Sequence, residues 1–149
     1  AVVADLRTAG DPAAELVATA PLDPPDHLVD GSAVLDVGGR PVTLAHLGRG
    51  HTDGDLVVAV DDVVFAGDLV EEGAPPAMED AFPLEWPGTL TALLDLVRGP
   101  VVPGHGAVVD AGFVRAQRDD LARLAAWLID PTGPAPFDEA TRETARARM

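Results

Sequence analysis

From residue 31 to residue 68 apolar and polar side chains alternate in short runs separated by turn residues, the period expected of β-strands. Residues 33–37 and 41–47 flank Gly38-Gly39, which predicts a β-hairpin. Within its second strand Val42, Leu44 and His46 share one face and Thr43, Ala45 and Leu47 the other. Residues 55–60 and 63–66 form a second predicted hairpin around Asp61-Asp62, ending at Asp68. Beyond it the period changes. Leu90, Leu93, Leu94 and Val97 recur at helical spacing and predict a helix over 89–97, with Pro87 just ahead of it. Val101-Val102 reads as a short buried strand. Asp110 then caps a longer helix whose apolar stripe is Val114, Leu121, Leu124, Ala125 and Leu128.

The ends of the chain carry less pattern. Asp11-Pro12 starts a predicted helix through residue 17, with Asp11 as its cap. Residues 21–25 form a Pro-rich connection, and 131–136 a second linker. Residues 138–149 predict a short helix, acidic at its start and Arg-rich at its end, which suits the helix dipole. No internal repeat is visible. One sheet with helices on one face leaves the other sheet face apolar, and such a face seeks a partner.

Three segments punctuate this pattern with candidate chemistry: Gly50-His51-Thr52-Asp53-Gly54-Asp55, Phe65-Ala66-Gly67-Asp68 and Val102-Pro103-Gly104-His105-Gly106. Each puts an imidazole or a carboxylate on a glycine-flanked turn beside a strand, where a sheet can gather side chains from distant positions. Imidazole and carboxylate suit zinc, manganese or iron. The three segments, in this order, resemble the C-terminal part of the metallo-β-lactamase-fold hydrolases, over about residues 31–128. The resemblance implies an α/β (α+β sandwich) class. It implies the C-terminal half of an αββα fold, with a mostly antiparallel, mixed sheet and helices on one face. Residues 1–30 would be a helix and Pro-rich connection, 31–129 the core half, and 130–149 a C-terminal helical extension, all within one partial domain, 1–149.

The resemblance also implies the site. His51 would bind one metal and His105 a second; Asp68 would bridge both and carry the catalytic role. Two zinc ions per intact domain are implied, with manganese or iron as alternatives. Hydroxide generated at the metals would attack an ester, thioester, lactam or similar bond of a small-molecule substrate. The family's His-x-His-x-Asp-His motif is absent: the four histidines stand at 27, 46, 51 and 105. The ligand set is therefore incomplete, and the chain is expected to be inactive by itself. The start without Met, in an apolar run, reads as a fragment. Its expected partner is a missing N-terminal half or a second copy covering the apolar sheet face. The alternative function is a non-catalytic half-domain that dimerises or binds.

Asp53 is a candidate second-sphere acceptor for a ligand imidazole. Phe82 and Trp86, embedded in the loop of residues 71–86, are candidates for the wall of a substrate pocket. Glu71 and Glu72 read as part of a solvated acidic loop, His46 as a packed strand residue and His27 as solvated. Composition narrows the partners. Cysteine is absent, which excludes disulfides and thiolate ligands, and the formal net charge is −15. A surface this acidic repels nucleic-acid phosphates and anionic membranes. No run approaches a membrane span and no signal peptide is visible, so the expected location is cytoplasmic.

Overall fold

The computed structural model describes residues 2–21 and 23–149. Ala1, in the apolar opening, and Leu22, in the Pro-rich connection, lie outside the described residues. The elements run α1 (Val2–Thr8), α2 (Ala14–Thr19), β1 (Ser32–Val37), β2 (Arg40–Ala45), β3 (Val57–Val60), β4 (Val63–Glu71), α3 (Trp86–Leu96), β5 (Val101–His105), α4 (Ala111–Ile129) and α5 (Glu139–Arg146). The five strands form one sheet in the order β1-β2-β3-β4-β5. The first four are antiparallel neighbours; β5 pairs parallel to β4 after the α3 crossover. The class is α+β with a mixed sheet.

Local chemistry accounts for the turns. Gly38 and Gly39 both have positive φ (65° and 86°), as a two-residue β1–β2 hairpin requires, and Asp36 accepts a hydrogen bond from Gly39 N at 2.7 Å. Asp61 adopts φ 54° in the β3–β4 turn, a conformation that Asp tolerates better than most residues. Asp110 caps α4 by accepting from Phe113 N at 3.0 Å, and Asp138 caps α5 by accepting from Thr141 N at 2.8 Å.

Several boundaries differ from the pattern in the sequence, among them that β4 runs on to Glu71. The opening apolar run forms α1. Asp11 closes a turn through Ala13 N (2.8 Å) and leaves α2 to begin at Ala14. Helix α3 begins at Trp86 with Pro87 inside its first turn, where proline's missing N–H is harmless.

The two sheet faces differ in what covers them. Val64, Ala59 and Val101 face the helices, where Leu90, Leu93, Val114, Leu121 and Leu124 complete a buried core. On the opposite face Ala33, Leu44, Val58, Phe65 and Val102 stand in register across all five strands. Leu35, Val42, Val60 and Val63 make a second row beside them. This face is continuous and apolar, yet Phe65 is 45% and Leu35 49% exposed. Among the described residues no helix is long and apolar enough to cross a membrane.

Candidate metal centre

The structure brings His51, Asp68 and His105 together. Asp68 lies between the two imidazoles, with Oδ2 3.7 Å from His51 Nε2 and Oδ1 3.4 Å from His105 Nε2. The two rings thus address different oxygens of one carboxylate.

Each ring is held by its own turn. The His51 turn is closed by Asp55, whose carboxylate accepts from Thr52 N (3.0 Å) and Thr52 Oγ1 (2.7 Å). Gly50, just before it, is buried against Leu69 and Trp86, and a Cβ there would collide with both. Asp68 sits in β4 beside Gly67 (φ 55°), where the pairing with β5 slips out of regular register. The His105 turn is clamped by Glu72. Glu72 N donates to His105 O at 3.0 Å, and its carboxylate accepts from Ala107 N at 2.9 Å.

The carboxylate beside His51 Nδ1 belongs to Glu71, with Oε1 3.6 Å away. Asp53 is exposed. Asp55 closes the turn, and among the described residues the carboxylates within 4 Å of the ring nitrogens are those of Asp68 and Glu71. Glu71 is also no solvated residue. It is 7% exposed, its N–H donates to Gln117 Oε1 (3.1 Å), and Oε1 accepts from Ala77 N (3.1 Å). Gln117 completes this knot by donating from Nε2 to Leu69 O at 2.9 Å. Its place in the apolar spacing of α4, one turn after Val114, was the available signal for a buried amide.

The two aromatic candidates part company. Trp86 is fully buried, donates from Nε1 to Leu69 O at 3.1 Å, and meets the His51 ring edge-on at 5.9 Å between centroids. It lines no cleft: a side chain this apolar, with its one donor satisfied, is a core anchor. Phe82 is half-buried and lines a shallow depression with Thr52, Asp53, Asp80 and Arg148, next to the His51 turn. The guanidiniums of Arg49 and Arg148 lie 4.4 and 5.8 Å from its ring centroid. His46 donates from Nδ1 to Asp55 O (3.0 Å), as a packed residue, and His27 is exposed.

Burial raises the Glu71 carboxyl above the ordinary glutamate range; the nearby Asp68 charge adds to this, while the Ala77 N–H and the two histidines offset part of it. A raised native pKa favours folding most where the group is protonated in both states. That contribution is full below about pH 4.5, the ordinary value, and is lost as pH rises through the native pKa. Glu71→Gln keeps the acceptor for Ala77 N and removes the buried charge. It is expected to melt with the parent chain at pH 4 and above it at pH 8. Thermal melts across that range check this, and equal curves at pH 8 would count against a buried charge.

Comparison with solved structures sets this geometry in context. The chain is similar to a metallo-β-lactamase from Pontibacter korlensis, with 24% identity, TM-score 0.61, and coverage of 78% of this chain and 60% of that one. It is similar to the DIM-1 metallo-β-lactamase at 22% identity and TM-score 0.55, covering 64% and 47%. It is also similar to VMB-1 at 28% identity and TM-score 0.51, covering 57% and 42%. The likeness shows a metallo-β-lactamase-type fold, the fold of a class of metal-dependent hydrolases. The chain spans 42–60% of the length of these structures. No protein-family model and no curated protein matches it.

Proposed function

We propose that this chain carries half of the dinuclear metal site of a hydrolase, with His51 and His105 each binding one ion through Nε2 and Asp68 bridging the pair. One observation supports the reading above the others: two Nε2 atoms face the two oxygens of one carboxylate at 3.7 and 3.4 Å. Both gaps are long for hydrogen bonds at these atoms. They suit donors sharing an ion, because bonds of 2.0–2.1 Å in a tetrahedron set neighbouring donors about 3.4 Å apart.

The donor set fits two ions in kind and is short in number. Each would receive one nitrogen and one oxygen here, and among the described residues no three such side chains converge on one point. The remaining ligands would come from a second β-rich half seated on the exposed apolar sheet face. A pair of zinc ions, when bound, lowers the pKa of a shared water toward neutrality and offsets negative charge building on an attacked carbonyl or phosphoryl oxygen. Asp68 would fix the separation of the ions and offer an acceptor to the nucleophile's proton. His51 and His105 would hold position and do no acid–base work while ligated. The depression at Phe82 would form part of the wall for a small-molecule substrate.

The test is a zinc titration followed through the ring nitrogens by NMR. Weak binding that perturbs His51 and His105 together, spares His27 and His46, and vanishes in Asp68→Ala is the expected result. Equal response of all four rings would defeat the assignment. For the whole enzyme, the chain joined to a half that supplies the other ligands should cleave a member of a lactam, lactone, thioester and phosphodiester panel. Failure on every member would leave the second reading, a non-catalytic half-domain that dimerises through its apolar face, which the in-register rows from Ala33 to Val102 favour.

A further inference from the structure

Metal geometry depends on the atoms behind a ligand as well as the ligand itself, and here one such atom is unmatched. His51 Nδ1 is the buried side-chain nitrogen or oxygen without a hydrogen-bond partner among the described residues. A buried polar atom in that state is costly, and native folds rarely leave one. The carboxylate oxygen facing it is Glu71 Oε1, 3.6 Å away, about half an ångström beyond a normal bond. Glu71 cannot drift elsewhere. Its backbone N–H is held by Gln117, the same Oε1 is held by Ala77 N, and the side chain is buried between them.

We infer that Glu71 is the positioning residue for His51: it accepts the Nδ1 proton and so fixes the ring in the form whose Nε2 lone pair faces Asp68. An imidazole presents a bare nitrogen on one side only when it carries its proton on the other, and the partner of the protonated nitrogen decides which. Asp68 stands at Nε2 and Glu71 at Nδ1, so the ring is bracketed by two carboxylates. A proton on Nε2 would serve Asp68 but leave Nδ1 aimed as a bare lone pair at Glu71. A proton on Nδ1 satisfies the buried atom and leaves Nε2 as the bare lone pair. A shift of the ring by a few tenths of an ångström closes the Glu71 bond, of the kind seen when loose contacts in unliganded sites tighten.

The value of this bond for metal binding rests on the function proposed above; the tautomer itself does not. The decisive experiment is therefore done without metal. Proton–nitrogen correlation spectra of the full chain, at a pH where the rings are neutral, report which nitrogen of His51 carries the proton. The Nδ1–H form is expected in about tenfold excess, the preference that a hydrogen bond to a charged acceptor supplies. Exposed His27 serves as the unconstrained reference in the same spectrum. Glu71→Met should bring His51 to the tautomer mixture of His27, and Glu71→Gln should restore Nδ1–H, because its amide oxygen still serves Ala77 N and the ring. A parent chain dominated by Nε2–H overturns the inference, as does a Glu71→Met ring that keeps Nδ1–H. If Glu71→Met fails to fold, the parent spectrum alone still decides. A fixed Nδ1–H form with no zinc response would overturn the metal reading and leave the role of Glu71 standing.

Discussion

Trp86→Ala is expected to destabilise the chain by about 3–5 kcal/mol, the range for truncating a large aromatic in a tight core. Trp86 is fully buried, walls in Gly50 and sets its edge to the His51 ring. The loss comes from packing more than hydrogen bonding. Leu69 O, which accepts from Trp86 Nε1, also accepts from Gln117 Nε2, so the carbonyl is left with a partner. One lost hydrogen bond is worth about 1 kcal/mol, well below the packing term. Denaturant unfolding measures the total. A change under about 1 kcal/mol would mean that the surrounding loop collapses onto the cavity, against the anchoring role argued above.

Gly104→Ala carries the second large effect, and it falls on the site as well as the fold. A methyl group at residue 104 would overlap the Asp68 carboxylate and sit 2.8 Å from Asp68 N and Gly67 C. A side chain can swing aside, but those backbone atoms belong to the β4–β5 pairing and cannot. Gly104 is thus required for space. Overpacking at a rigid contact costs about 1–3 kcal/mol, and relief of this overlap moves Asp68 away from both imidazoles. The variant should unfold earlier and lose the joint response of His51 and His105 to zinc. Gly54→Ala is the matched control, because nothing lies within 4 Å of a Cβ there. An unchanged zinc response in Gly104→Ala would mean that Asp68 does not depend on the close approach of the two strands.

The strands and the three histidine and aspartate turns were legible because each depends on short-range chemistry. Gly38-Gly39, the period-two runs and the Asp110 cap speak for themselves. The partner of the His51 ring was not. Asp53 is two residues from His51 and Glu71 is twenty away, so proximity along the chain points to Asp53, whereas the carboxylate 3.6 Å from Nδ1 is that of Glu71. In a regular strand residues 68 and 71 would also point to opposite faces. The slip in pairing between Gly67 and Glu71 breaks that alternation and lets both serve one ring. Trp86 was misread for a related reason. Its neighbours are prolines and acids, the mark of a surface loop, yet it begins α3 and turns inward against Leu69. The full length of β4 was hidden by the same Gly67-Asp68 step that signals a turn.

The parallel pairing of β4 with β5 bears on how the molecule assembles. β1 to β4 are joined by near neighbours, and such contacts close quickly. Asp68 and His105 are brought together only after the whole crossover through α3 has wrapped back, a long closure whose entropy must be met before its contacts reward it. His51 and Asp68 come from the early meander, and His105 arrives last. A nascent chain therefore has no imidazole on the Oδ1 side of Asp68 until synthesis and folding have passed β5.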